Sequence, residues 1–121
     1  MHLKHLALAA PDVGASSRFY SSYFGFREGA GPGLMTNADG FRLAIHEATE
    51  PVHPPDLLHF GFDVTTGEDV WSLWKRMNQD GITMQGEPAK HMGTLVFWCR
   101  DPAGYLVEVR AVGHQSRNPE T

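Results

Sequence analysis

The chain has 121 residues, of which 41% are hydrophobic and 20% charged, with a formal net charge of −4. This length and composition are typical of one globular domain with its own core. The acidic balance argues against a nucleic-acid partner, and no apolar window is long enough to cross a bilayer. The single cysteine, Cys99, excludes an internal disulfide and a thiolate metal cluster. With a strand pattern beginning directly after Met1, these features predict a cytoplasmic protein in which Cys99 is a buried filler.

The first predicted element is a strand over residues 4–9. Because strand side chains alternate between two faces, Leu6 and Leu8 share the packing face, and His5 lies on the opposite face between small neighbours. A helix follows, with Asp12 as its candidate N-cap and Gly25 as its C-terminal stop. A histidine on a face otherwise free of large side chains indicates the wall of a site.

The same order of elements begins again in the second half. A strand over residues 58–63 places His59 opposite Phe60 and Phe62, on a face shared with Gly61. A second helix opens at Gly67 and ends at 80–81. Its apolar residues recur at helical spacing, and they are Val70, Leu73, Trp74 and Met77. The chain is therefore predicted to contain a repeat.

Each half closes with a glycine followed by an alternating strand, over residues 40–46 and 104–110. A segment with three prolines, 48–56, separates the halves as a linker. These boundaries define a first module of about 1–47, a second of about 57–111 and a flexible tail over 112–121. The second module has the longer internal connection, and its extra residues fall within 85–92.

The last strand carries a carboxylate in its middle. Alternation puts Glu108 on one face with Leu106 and Arg110, while Val107 and Val109 take the packing face. A carboxylate between valines is unfavourable unless it is exposed, paired or bound to a cation. On its own, Glu108 fits an exposed residue as well as a ligand.

Several motifs together resemble the vicinal oxygen chelate superfamily, over about residues 3–111. They are His5-Leu6-Ala7-Leu8, Asp12-Val13 leading to Phe19-Tyr20, Phe24-Gly25-Phe26, the restart at His59, and Asp101-Pro102-Ala103-Gly104-Tyr105-Leu106-Val107-Glu108. The superfamily includes glyoxalase I, extradiol dioxygenases, fosfomycin-resistance enzymes and bleomycin-binding proteins. The resemblance implies an α+β fold of two βαβββ modules, whose curved mixed sheets enclose a metal cavity, and a homodimer with two equivalent sites.

The resemblance also implies a ligand set. His5, His59 and Glu108 fall on the family's metal positions, while Ala44 occupies the fourth and has no donor atom. Two imidazoles and one carboxylate suit Fe(II), Zn, Mn, Ni or Co, with open positions for the vicinal oxygens of a small-molecule substrate. The remaining histidines include three that we assign to the surface, namely His2, His53 and His114.

Within the superfamily the sequence most resembles an extradiol dioxygenase, which would hold Fe(II). His91 stands seven residues before Trp98, and the 101–104 turn precedes Glu108, as in that class. His91 would be the acid–base residue, with an exposed loop histidine as the alternative. The residues expected to line the substrate cavity are Arg42, His46 and Trp98. Trp98 replaces the family's tyrosine, so it offers only an N–H donor, and Phe41 stands where a second catalytic histidine is expected.

Three other functions remain as alternatives. The first is a lactoylglutathione-lyase-like enzyme or another lyase or isomerase, although lactoylglutathione lyase activity would need a fourth ligand, which Ala44 cannot supply. A fosfomycin-resistance enzyme shares the ligand set, but Ala7 replaces a threonine of that class. A metal-free, antibiotic-binding protein would use tryptophans as stacking surface, although Trp71 and Trp74 fit helix packing equally well.

Overall fold

The computed structural model describes residues 1–113, which form two compact units. The first unit comprises Met1–Pro54 and Pro102–Gly104, and the second comprises Pro55–Asp101 and the described residues from Tyr105 onward. The elements are β1 (His5–Ala10), α1 (Val13–Phe24), β2 (Arg27–Glu28), β3 (Leu34–Thr36), β4 (Arg42–Glu47), β5 (His59–Val64), α2 (Gly67–Gln79), β6 (Ala89–His91), β7 (Thr94–Arg100) and β8 (Leu106–Ala111). His114 and most of the predicted tail lie outside the described residues.

Each unit is a βαβββ module with a four-stranded mixed sheet. The strand orders are β1-β4-β3-β2 and β5-β8-β7-β6. In each sheet the first strand pairs in parallel with the last, and the remaining pairs are antiparallel. The predicted α+β architecture of two such modules is confirmed.

The parallel pairs fix which residues lie side by side. In the first unit His5 is opposite Arg42, and Ala9 is opposite His46. In the second unit Gly61 is opposite Glu108, which is in turn opposite Trp98 on β7. Because residues in register share a face, Trp98, Glu108 and Gly61 form one row across the second sheet.

Helix α1 has the predicted ends. The Asp12 side chain accepts a hydrogen bond from the Ala15 N–H at 3.0 Å, and Gly25 adopts the left-handed conformation with φ of 72°. A left-handed residue after a helix is most favourable as glycine. The helix buries Phe19 and Tyr20, whose rings meet edge to face with centroids 4.9 Å apart.

Helix α2 starts at Gly67, as predicted, and Thr66 is its N-cap. The Thr66 hydroxyl accepts from the Asp69 N–H, and the Asp69 carboxylate accepts from the Thr66 N–H, which is a capping box. Val70 and Met77 are fully buried. Neither helix within residues 1–113 is long and apolar enough to cross a bilayer.

The segment predicted to hold the extra residues, 85–92, contains β6 and leads into a hairpin with β7. His91 pairs with Thr94, so the turn consists of Met92 and Gly93 alone. Both have positive φ, 53° and 84°. This is the backbone of the tight turns that twist with their strands, and His91 is consequently a strand residue at the base of a turn.

The two faces of the second sheet differ in composition. One face is apolar and packs against α2, which contacts β7 and β8. It includes the fully buried residues Phe97, Cys99, Val107, Val109 and Ala111. The opposite face carries polar side chains, and we call it the Glu108 face, defined by His59, Gly61, Trp98, Glu108 and Arg110.

Candidate functional site

The Glu108 face brings a histidine and a carboxylate together. His59 Nε2 lies 3.7 Å from Glu108 Oε1, and the two side chains are 46% and 18% exposed. They lie near each other because β5 and β8 are paired, with His59 two residues before Gly61, the residue opposite Glu108. The predicted ligands of the second module are therefore neighbours in the structure.

A backbone contact indicates which tautomer the neutral His59 ring adopts. Its Nδ1 lies 2.9 Å from the Leu57 carbonyl oxygen. A carbonyl oxygen only accepts hydrogen bonds, so Nδ1 carries the hydrogen, and in the neutral ring Nε2 keeps its lone pair. This second contact of a histidine is typical of metal-ligating imidazoles, because it orients the ring and fixes the tautomer.

Both oxygens of Glu108 have hydrogen-bond donors. Oε1 accepts from the Trp98 indole N–H at 3.2 Å, and Oε2 accepts from Arg110 Nε at 3.2 Å. A Cβ atom built on Gly61 would stand 3.1 Å from the Glu108 Cβ. Glu108 is thus a paired, largely buried carboxylate, and glycine at position 61 leaves the space that it occupies.

In the first unit His5 has the same kind of contact as His59. Its Nδ1 lies 3.2 Å from the Arg42 carbonyl oxygen, and the ring is exposed. Nε2 is again the atom left available for a ligand. Arg42 contacts His5 through its backbone carbonyl, and the Arg42 side chain is exposed on β4.

His46 lies apart from His5 along the first sheet. It pairs with Ala9, at the end of β4 opposite to Arg42. It lines an open cleft of about 670 Å³ together with Asp12 and Val13, at the start of α1. His46 therefore lines this cleft of the first unit.

His91 and Trp98, the predicted acid–base and substrate-lining residues, are in contact. Their ring centroids are 5.7 Å apart, with the ring planes at 77°. His91 is exposed, whereas Trp98 is partly buried and directs its N–H to Glu108. The second unit therefore brings together His91, Trp98, Glu108 and His59.

Arg110 is a partner of Glu108 but was not among the predicted site residues. Besides its contact with the carboxylate, it donates from Nη1 to the Thr94 hydroxyl at 2.7 Å. Alternation already placed Arg110 on the face of Glu108, two residues away. That pattern was the available signal, but only side-chain geometry shows the ion pair.

The donor set of the second unit fits a first-row divalent metal. Imidazole nitrogen and carboxylate oxygen bind such ions at about 2.0–2.2 Å, so two ligands of one ion lie at most about 4.2 Å apart. The 3.7 Å between Nε2 and Oε1 is within this reach. Within residues 1–113, no three His, Cys, Asp or Glu side chains are grouped closely enough to hold a metal by themselves.

Cys99 does not belong to this chemistry. It is fully buried on the apolar face of the second sheet. Burial, with a smaller contribution from the charge of Asp101, raises the pKa of the Cys99 thiol to about 12. The thiol therefore stays protonated near neutral pH and has the filler role that the sequence predicts.

Comparisons with known proteins agree with the fold. The model of the Glyoxalase/Bleomycin resistance protein/Dioxygenase superfamily matches residues 2–109. A possible glyoxalase from Bacillus cereus is 33% identical, with 90% of this chain and 97% of that chain covered and a TM-score of 0.79. The fosfomycin resistance protein FosX from Listeria monocytogenes is 21% identical, with 97% and 98% covered and a TM-score of 0.80.

The oxidase ChaP-H1 is 22% identical, with 93% of this chain and 96% of that chain covered and a TM-score of 0.76. No curated protein matched the chain. The family match and the Bacillus cereus structure show that the chain belongs to the Glyoxalase/Bleomycin resistance protein/Dioxygenase superfamily. At their lower identities, the other two structures show the shared fold.

Proposed function

We propose that this protein is a divalent-metal-dependent enzyme acting on a small molecule that chelates the metal through two adjacent oxygens. The observation that carries the proposal is the geometry of His59, whose Nδ1 is bonded to a carbonyl while Nε2 lies 3.7 Å from Glu108 Oε1. His59 and Glu108 are the proposed ligands in the second unit. His5, with the same contact at Nδ1, is the proposed third ligand.

The proposed roles follow from the contacts of each side chain. A bound metal would act as a Lewis acid on the substrate oxygens. The Leu57 carbonyl orients His59, and Trp98 holds Oε1 of Glu108 in place. His91 is exposed and contacts the Trp98 ring, and it would accept or donate a proton at the substrate. The hydrogen bond from the Trp98 N–H to Glu108 Oε1 gives Trp98 a positioning role toward Glu108.

Within this class, we propose extradiol ring cleavage with Fe(II) as the best candidate. The support is that His91, Trp98 and Glu108, the residues with the spacing of that class, are consecutive neighbours in the second unit. Ala44 supplies no fourth ligand, and it is buried with only 7% of its surface exposed. Zn, Mn, Ni and Co are the other metals that this ligand set accepts.

Metal content is the first test. The untagged protein is purified without chelator, and bound metals are measured by mass spectrometry, before and after titration with Fe(II) under anaerobic conditions. We expect about one metal per chain in the wild type and in the control His53→Ala, which changes a histidine of the linker. His59→Ala and Glu108→Gln should lose most of it. A wild type that neither carries nor takes up stoichiometric metal contradicts the proposal.

Oxygen uptake separates the reactions. The Fe(II)-loaded protein is mixed with a panel of catechols in an oxygen electrode, and ring cleavage is followed by absorbance. Uptake that requires His59, and that falls in His91→Ala with the metal content unchanged, supports the dioxygenase. Metal binding without uptake contradicts it and favours the lyase or isomerase alternative. Absence of metal favours the antibiotic-binding alternative.

A further inference from the structure

Arg110 is the residue of the Glu108 face that the proposed function leaves without a task. Its side chain is 26% exposed and makes two directed contacts. Nε donates to Glu108 Oε2, and Nη1 donates to the Thr94 hydroxyl. Thr94 is on β7, so the guanidinium is held between two strands. Such a guanidinium has a fixed position relative to the carboxylate.

The two oxygens of Glu108 therefore have different surroundings. Oε1 faces His59 Nε2 and the Trp98 N–H, whereas Oε2 faces the guanidinium. A carboxylate can hold a metal through one or both oxygens. Here the second oxygen is already paired with a positive group. Glu108 is thus arranged to coordinate a metal through Oε1 alone.

The ion pair also changes the charge of the ligand set. Histidine ligands are neutral, so Glu108 is the one anion among the proposed ligands. Arg110 contacts it directly and offsets its charge. Asp63 is opposite Arg110 in the strand register, but it is exposed, and the ion pair of Arg110 is with Glu108. A metal held there would keep more of its positive charge toward other ligands than one held by an unpaired carboxylate.

We infer that Arg110 is a positioning residue that restricts Glu108 to one coordinating oxygen and cancels its charge, so that the site selects chelators that bind as anions. The inference rests on the proposed function and narrows its substrate class. It fits a molecule whose adjacent oxygens lose at least one proton on binding, such as a catechol, an enediol or a hydroxamic acid. Neutral carbonyl or hydroxyl pairs would gain less from the positive charge of the metal.

The first experiment measures metal affinity. Co(II) is titrated into the metal-free protein by isothermal calorimetry, for the wild type, Arg110→Gln and Arg110→Lys. Removing a positive charge next to the metal should raise the association constant of Arg110→Gln about tenfold. Arg110→Lys keeps the charge and should stay within about threefold of the wild type. Arg110→Met is a second neutral variant, in case Arg110→Gln folds poorly by circular dichroism.

The matched control is Lys75→Gln, which removes the same charge from an exposed position of helix α2. That helix packs on the opposite face of the sheet, since a Cβ on Gly67 would stand 3.5 Å from the Leu95 side chain. Lys75→Gln should bind Co(II) like the wild type. A neutral Arg110 variant that folds but binds Co(II) equally or more weakly overturns the inference.

The second experiment measures ligand charge preference on the Co(II)-loaded proteins. Acetohydroxamate, which chelates as an anion, is titrated while the visible Co(II) absorption is recorded. We expect the neutral Arg110 variants to bind it about tenfold more weakly than the wild type, although they bind Co(II) more tightly. Equal binding overturns the inference. A wild type that takes up no Co(II) instead rejects the proposed function, so the two failures are distinguishable.

Discussion

Glu108 can occupy the middle of a sheet because the residue opposite it has no side chain. A Cβ on Gly61 would lie 3.1 Å from the Glu108 Cβ and 3.2 Å from its carbonyl oxygen, closer than packed side chains normally approach. The indole of Trp98 and the guanidinium of Arg110 then fill the donor positions around the carboxylate. At the scale of single residues, the site thus depends on one glycine as much as on its charged groups.

Gly61→Ala should displace Glu108 and weaken metal binding. The new methyl group forces either β5 or Glu108 to shift, so we expect metal affinity to fall at least about tenfold and stability to fall by about 1–3 kcal/mol. Calorimetric titration with Co(II) and urea unfolding measure the two effects. Gly14→Ala, in the exposed first turn of α1, is the control and should bind metal normally. Unchanged affinity in Gly61→Ala would show that the contact is not critical.

Cys99 should be inert in the folded protein. Its pKa of about 12 and complete burial keep the thiolate fraction negligible at pH 8. Ellman's reagent should therefore detect no thiol in the native protein at pH 8 and one thiol per chain in denaturant. The thiolate fraction rises only as the pH approaches the raised pKa, so native reactivity should still be absent at pH 9. Rapid reaction of the native protein at pH 8 contradicts this expectation.

At the scale of elements, local signals define the two helices. Thr66 and Asp69 exchange hydrogen bonds at the start of α2, and Asp12 with Gly25 bounds α1. These contacts involve residues three or four positions apart or special backbone angles, so they can be predicted from sequence. Each helix then packs an apolar stripe onto its own sheet.

Thr66→Ala should lower the free energy of unfolding by about 1 kcal/mol, the usual cost of losing an N-cap side chain. The substitution removes the acceptor for the Asp69 N–H and leaves the capping box half formed. Urea unfolding followed by circular dichroism gives the value. Ser72→Ala, at an exposed position of the same helix, should change stability by less than about 0.5 kcal/mol. An equal effect of both variants would mean that the cap contributes little.

The short strands were the elements that sequence alone did not resolve. β2, β3 and β6 have two or three residues each, too few for an alternating pattern, and they form because a neighbouring strand supplies hydrogen bonds. The turn at Met92 and Gly93 lacks the usual Asn-Gly signature. The predicted ligands of the second unit were identifiable through the repeat, whereas the ion pair of Arg110 depends on a rotamer that no spacing encodes.

At the scale of the whole molecule, duplication of one βαβββ unit was visible as a repeated order of strand, helix and closing strand. The structure contains that unit twice. Some large apolar side chains remain exposed, among them Leu3, Leu57 and Leu58 at 86%, 87% and 55%. The homodimer stays a prediction, and Leu57 and Leu58 are neighbouring exposed leucines at which it can be tested.

The dimer prediction is tested by mass. Light scattering at micromolar concentration should give twice the 13.4 kDa of the chain, with and without metal. Leu57→Ser with Leu58→Ser removes apolar surface and should shift the mass toward the monomer. Arg27→Gln, on the exposed strand β2, is the control and should keep the wild-type mass. A monomer mass for the wild type over the whole concentration range contradicts the prediction.

The parallel pairing of first and last strands has a consequence for synthesis on the ribosome. β5 has no parallel partner until β8 is made, and Leu106 follows its paired residue His59 by 47 residues. Contacts this distant in sequence slow folding, because a long loop must close before they form. During that interval Phe60 and Phe62 are carried on an unpaired strand, the type of edge that associates with other nascent chains. β5 is an edge strand of the finished sheet, so pairing with β8 closes one of its two open sides and ends the interval in which the strand has no partner at all.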